Sequence, residues 1–164
     1  MVEPMALGKD IFVIDKYFRI YFKNALRPYA INPAEAMVLL TLYSKGGKMG
    51  EHVFDEIHGD RLGKTQEQII RGLQYDKGAM TRIMQSLEKN GLVLRKKNPA
   101  DNRSFIFVAT AKADAFKPCL LEILRQWNHS LLDGIECADA VTAAVSQMSQ
   151  NARRATVEQE SGDE

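Results

Sequence analysis

A chain of 164 residues, 45% hydrophobic and with a mean hydropathy of −0.27, is long enough to bury one real core and has the composition of a soluble globular domain. No apolar run approaches a membrane span, "MVEPMALGKDIF" lacks the basic and apolar regions of a secretion signal, and Cys119 and Cys137 are too few for a disulfide framework, so a reducing cytoplasm is expected. The net charge of +1 hides an asymmetry: from Lys77 to Arg103 seven bases stand against two acids, a local +5 that leaves −4 for the remainder. A basic patch on an otherwise acidic chain is the footprint of a nucleic-acid partner, although on charge alone a solvated face explains it equally well.

In "GKDIFVIDKYFRIYFKNALRPYA" the apolar residues Ile11, Ile14, Phe18, Phe22 and Ala25 recur at helical spacing, and Pro28 marks the end. "NPAEAMVLLTLYSKGG" opens a second helix with Asn32 as cap, Pro33 at the first helical position and Glu35 three residues on, and stops at Gly46-Gly47. Residues 46 to 64 are rich in glycine and charge and read as a loop with a short helical turn near Val53–Ile57. Thr65 and Gln68 form another capping box, ahead of the apolar face Ile69, Ile70 and Leu73. Asp76 caps a helix over 77–89, which ends at Asn90-Gly91. "LVLRKK" and "RSFIFVAT" read as strands joined by the turn "NPADN". Thr110 caps a long helix in which Pro118 predicts a kink or a late start. A last helix is expected near 138 to 152, with 153–164 a disordered tail. Four helices, a small hairpin and two more helices describe a mainly α chain carrying a winged helix-turn-helix.

The 77–89 segment divides cleanly at 100° per residue. Met80, Ile83, Met84 and Leu87 form a stripe to bury, while Gly78, Thr81, Arg82, Gln85 and Lys89 lie opposite with no acid among them. A helix entering a major groove needs small residues at its start and donors further along, and Gly78 costs about 1 kcal/mol of helix stability against alanine for that approach. Packing against a neighbouring helix is the other explanation for that glycine. On the hairpin, Arg95, Lys96 and Lys97 are placed for phosphates. Asp101 and Arg103 straddle the turn, so the carboxylate is expected to orient the guanidinium for a minor groove.

From "TQEQIIRGLQYDKGAMTRIMQSLEKNGLVLRKKNPADNRSFIFVAT" the chain resembles the MarR family of transcriptional regulators: helix, turn, recognition helix with "TR", "LEKNGLV", basic strand and Asp-x-Arg wing. "INPAEAMVLLTLY" and "LLDGIECADAVTAAVSQM" fit the family's second and C-terminal helices, so the resemblance spans most of residues 10 to 152. It implies a homodimer built from 1–32 and 111–152, with a DNA-binding lobe over 33–110 in each protomer. The DNA contacts it implies are Lys77, Gly78, Thr81, Arg82 and Gln85 on the helix and Asp101 and Arg103 in the wing; Lys89, Lys96 and Lys97 are the expected phosphate contacts. It further implies a crevice for small, often aromatic or anionic effectors, with Tyr17, Phe18, Tyr21 and Trp127 as candidate lining. The expected function is sequence-specific binding of a pseudopalindromic double-stranded operator, as a repressor. Residues 46–64 depart from the family as an insertion, and Asn102 stands where a second basic residue is frequent.

Other constellations carry less. "GDRLGKT" has three residues rather than four between its glycines, His58 where a phosphate loop needs Gly, and no strand before it. Glu51, His52, Asp55, Glu56 and His58 offer at most two ligands on one helical face, so no metal site is assigned. Cys137 at a helix start is the candidate for a redox-responsive variant, while Cys119 reads as packing. No catalytic set and no cofactor motif is present. The competing reading is a winged helix that binds protein and has no DNA target.

Overall fold

The computed structural model describes residues 6–44, 63–73 and 75–162, the last six by backbone alone. Helix α1, Ala6–Leu26, gives way to a single 3₁₀ turn at Arg27–Tyr29, where Pro28 forbids a longer helix and Ala30 takes the left-handed φ of 52°. Helix α2, Pro33–Tyr43, begins with the predicted capping box: the Asn32 side chain accepts from the Glu35 N–H at 3.0 Å, and the Glu35 carboxylate accepts from the Asn32 N–H at 2.9 Å. Ala36, Val38, Leu39, Leu40 and Thr41 are all buried, which is why this helix has no polar stripe in its sequence.

Helix α3, Gln66–Leu73, starts from the Thr65–Gln68 capping box, with bonds of 3.2 and 2.8 Å. Helix α4, Lys77–Lys89, starts from Asp76, whose carboxylate accepts from the Ala79 N–H at 2.8 Å. Strand β1 is only Lys64–Thr65; β2 is Val93–Asn98 and β3 is Asp101–Ala109, antiparallel in the order β1-β3-β2. The hairpin is therefore the larger part of a three-stranded sheet. A two-residue strand leaves no alternation to read, so β1 is invisible in the sequence. Its approach depends on Gly63, where a Cβ would lie 2.8 Å from Val108 Cγ2 and 2.9 Å from Ile106 Cδ1.

One core joins the end of α1 (Phe22, Leu26) to Leu39, Ile69, Met80, Met84 and Leu87, the sheet residues Val93 and Phe107, and Ala113, Leu120 and Ile123 of α5, Ala111–Leu132. Two compact units result, one running to Trp127 and the other from Asn128 through α6, Ala138–Gly162. No helix among the described residues is long and apolar enough to cross a membrane.

Two expectations are corrected. Helix α5 runs from Ala111 across Pro118, which sits on an exposed side where the forfeited backbone bond costs least. Helix α6 continues past the expected end near 152 to Gly162, over a stretch whose Ala, Arg, Glu and Gln favour helix. Residues 46–62 of the expected insertion, with Glu51, His52, Asp55, Glu56 and His58, lie outside the described residues.

Lys64 explains much of "GDRLGKT". Its buried ammonium donates to the carbonyls of Thr41 and Ser44 and, at 3.1 Å, to the Ser44 hydroxyl, closing the C-terminal end of α2. Carbonyls at a helix C-terminus favour a cation, yet burial prevails and pushes the ammonium down to about 8.

The folded protein thus releases this proton near pH 8, while the unfolded chain holds it to about 10.5. Across that window the unfolded state binds more protons, so stability rises with pH. Wild type relative to Lys64→Met should therefore gain stability from pH 8 to 10 in urea unfolding, and a difference flat in pH would refute the depressed titration. Glu35 gives a second expectation: besides its cap it accepts from the Ser86 hydroxyl at 2.5 Å while 3% exposed. Glu35→Ala should cost about 2 kcal/mol, the order of a lost cap plus an orphaned half-buried hydroxyl, with the urea m-value unchanged.

Candidate nucleic-acid interface

Helix α4 presents the division read from its sequence. Met80, Met84 and Leu87 are buried and Ile83 is half-buried, so rotation about the helix axis is fixed by the core. Lys77, Gly78, Thr81, Arg82, Gln85 and Lys89 are all exposed on the other side. None of Lys77, Arg82 and Lys89 meets a carboxylate among the described residues, whereas Arg19, Arg71 and Arg125 elsewhere are tied to Asp15, Glu67 and Glu122. Gly78 touches no neighbouring helix among the described residues: a Cβ there would meet only the Asp76 carboxylate oxygen among them, at 3.2 Å. The packing explanation for this glycine therefore falls, and its small size leaves room for both the cap and an approaching partner.

Thr81 is less free than its exposure implies. Its hydroxyl donates to the Lys77 carbonyl at 2.8 Å and accepts from Gln66 Nε2 at 3.0 Å. Gln66 was not among the residues the sequence pointed to. The capping box places it in the first turn of α3, but nothing in the chain signals a contact with a side chain fifteen positions on.

In the wing, Lys97 pairs with Phe105, Lys96 with Ile106, Arg95 with Phe107 and Leu94 with Val108. Strand alternation therefore puts Arg95 and Lys97 on one face of the hairpin and Lys96 on the other, so the three consecutive bases cannot all meet one surface. Arg95 lies over the Phe105 ring at 3.8 Å, a planar stack that holds the guanidinium along the strand. A register shift between Lys97 and Asn98 opens the tip. There the Asn98 amide donates to Ser104 Oγ at 2.9 Å, and the Ser104 hydroxyl donates to the Asp101 carbonyl at 3.2 Å.

The expected Asp101–Arg103 ion pair is absent among the described residues. The Asp101 carboxylate accepts instead from the Arg103 backbone N–H at 3.0 Å. A two-residue separation across a turn suits this local bond better than a contact between side-chain ends, since the acceptor is held beside the main chain. Asp101 thus shapes the tip, and the Arg103 side chain is left exposed to an outside partner.

Of the aromatic residues expected to line a crevice, three converge. Trp127 lies 5.5 Å from Phe18 and 5.3 Å from Tyr21, Phe18 stacks on Phe22 at 5.3 Å, and the Tyr21 hydroxyl donates to the Ile123 carbonyl at 3.2 Å. Tyr17 stands apart, 56% exposed, with Lys16 over its ring. Cys119 is half-buried, consistent with packing, and Cys137 is exposed immediately before α6.

The MarR family model matches residues 60–105, from the approach to β1 through the wing. A MarR transcriptional regulator from Methanosarcina mazei Go1 is similar over 90% of this chain and 96% of its own, at 25% identity and a TM-score of 0.74. Residues 60–105 are a MarR-family segment. Two further MarR-family structures share the fold: wild-type MarR from E. coli in its apo form (20% identity, 91% of this chain and 98% of that one, TM-score 0.67), and a regulator from Listeria monocytogenes complexed with a 26mer DNA (19%, 99% and 97%, TM-score 0.74). A comparison with curated proteins returned no match. The MarR-family segment contains α3, α4 and most of the wing, so every basic residue described above on α4 and the wing falls inside it.

Proposed function

We propose that this MarR-family protein is a sequence-specific double-stranded DNA-binding repressor, acting as a homodimer in the cytoplasm. The observation that carries the reading is the outer face of α4, where Lys77, Arg82 and Lys89 lie exposed and meet no carboxylate among the described residues, on a helix whose other side is locked into the core. Charges left without internal partners are available to phosphates, and burial of the opposite stripe fixes where they point. The DNA held by the Listeria relative, which has the same fold, supports this choice over a protein-binding winged helix. MarR-family proteins are transcriptional regulators, and no enzymatic role is assigned.

In this reading α4 enters a major groove, with Gly78 allowing the approach and Arg82 and Gln85 reaching base edges. Lys77, Lys89, Lys97 and Arg95 meet phosphates, and Arg103, on the tip shaped by Asp101, reads a narrow minor groove. Lys96 serves phosphates from the other face of the wing. The dimer reading is supported by α1, where Leu7, Ile11, Phe12, Ile14, Tyr17 and Ile20 are all exposed, Phe12 by 70%. Exposed apolar surface of this extent calls for an apolar partner, and a second copy of the same helix supplies one of matching chemistry. A two-fold particle then reads half-sites about 34–36 Å apart or a multiple of it. A small aromatic or anionic effector beside Phe18, Tyr21 and Trp127 would act by changing the separation of the two α4 helices.

Two experiments test this reading. Operator affinity, measured on sites selected from random duplex DNA, should fall steeply with salt. Arg82→Ala should cost about 1–3 kcal/mol and relax preference at one base pair per half-site, while Arg103→Ala weakens the A/T-rich flank preference. Indifference of the wild type to all duplexes would favour the protein-binding alternative. Sedimentation of the wild type should give a dimer, and Phe12→Glu combined with Ile14→Glu should yield monomers that keep the circular dichroism of the wild type. A monomeric wild type would sink the dimer reading.

A further inference from the structure

The contact between Gln66 and Thr81 reassigns a part of the reading surface. A threonine hydroxyl has one proton and two lone pairs. The proton goes to the Lys77 carbonyl at 2.8 Å and one lone pair receives Gln66 Nε2 at 3.0 Å. Thr81 therefore has no donor left for a base, and its hydroxyl is fixed from both sides. Gln66 is only half-buried in the first turn of α3, and beyond Thr81 its amide has no other partner among the described residues. The carbonyl oxygen and one amide hydrogen remain, in a plane whose orientation Thr81 sets, and the two lie side by side when the hydrogen anti to the oxygen is the one given to Thr81.

An adjacent donor and acceptor of this kind complements the N7 and N6 edge of adenine in a major groove. We propose that Gln66 is a specificity-determining residue that recognises an adenine in each half-site, and that Thr81 acts through it as a positioning residue. The proposal rests on the DNA-binding reading above, with α4 in the groove. It also explains why a glutamine is useful at a solvent-facing helix start where many polar residues would serve the fold: only an amide can donate to Thr81 and still offer the complementary pair.

The test compares base preferences, by selection from random duplexes, for the full-length wild type, Gln66→Ala, Thr81→Val and the double variant, with circular dichroism confirming the fold of each. Gln66→Ala should lower preference for adenine at one position of each half-site by about fivefold or more, the least a bidentate contact supplies. Thr81→Val keeps shape but removes the hydroxyl, so it should reduce preference at that same position, and the double variant should lose little more than Gln66→Ala alone. Effects at two different positions, or additive losses, would overturn the coupling. A uniform loss across all sequences would make Gln66 a phosphate contact and overturn the assignment. Wild-type protein that binds no duplex at all would instead remove the DNA reading on which both rest.

Discussion

The buried carboxylate of Glu35 ties the start of α2 to the last turn of α4. One oxygen accepts from the Asn32 N–H at 2.9 Å and the other from the Ser86 hydroxyl at 2.5 Å, across fifty-one residues of chain. A carboxylate this far from water is tolerable only while its oxygens are engaged, so the contact resists being broken from either end. Beside it, Met80, Met84 and Leu87 fill the core and forbid rotation of α4 about its axis. Directional polar contact and dense packing act together here: the first fixes how far along its axis the helix sits, the second which side faces out. A surface that recognises a duplex needs both, because sliding or rolling by a fraction of a turn would move Arg82 away from any base edge.

The wing follows a different rule. Its cations are exposed, and what orients them is local: Phe105 under the Arg95 guanidinium, and Asp101 accepting from the main chain of Arg103. Neither contact neutralises the charge it positions. An ion pair would have done so, and the replacement of the expected carboxylate–guanidinium bond by a backbone bond leaves the full charge of Arg103 for phosphate or groove.

What the sequence discloses and what it conceals divide along physical lines. Local rules of capping and period placed α1 to α5 and the hairpin, because Asn32, Thr65, Asp76 and Thr110 satisfy backbone groups within three residues of themselves. The two faces of α4 were legible for the same reason, since helical period is a local property. Hidden were the contacts that exist only once the chain has closed: Gln66 on Thr81, and Lys64 on the end of α2. β1 was hidden by its length and the end of α6 by its polarity, a poor guide where propensity alone sustains a helix. The lysine and glycine of "GDRLGKT" look like chemistry only until Lys64 is seen closing a helix and Gly63 touching β3.

The end of α4 opposite its cap is gripped by the beginning of α5. The Lys112 ammonium donates to the Asn90 carbonyl at 2.8 Å, the Thr110 hydroxyl to the Gly91 carbonyl at 2.7 Å, and the Thr110 N–H to the Leu92 carbonyl at 3.1 Å. These bonds satisfy carbonyls that a helix terminus otherwise leaves to water, and they join the reading helix to the helix on which Ile123 and Trp127 meet Tyr21. A displacement of the first turn of α5 is therefore transmitted to α4 through bonds rather than through soft packing. The core residues of α4 fix its rotation at the same time. In the proposed dimer, an effector would therefore act on the spacing of the two α4 faces rather than on the geometry of either.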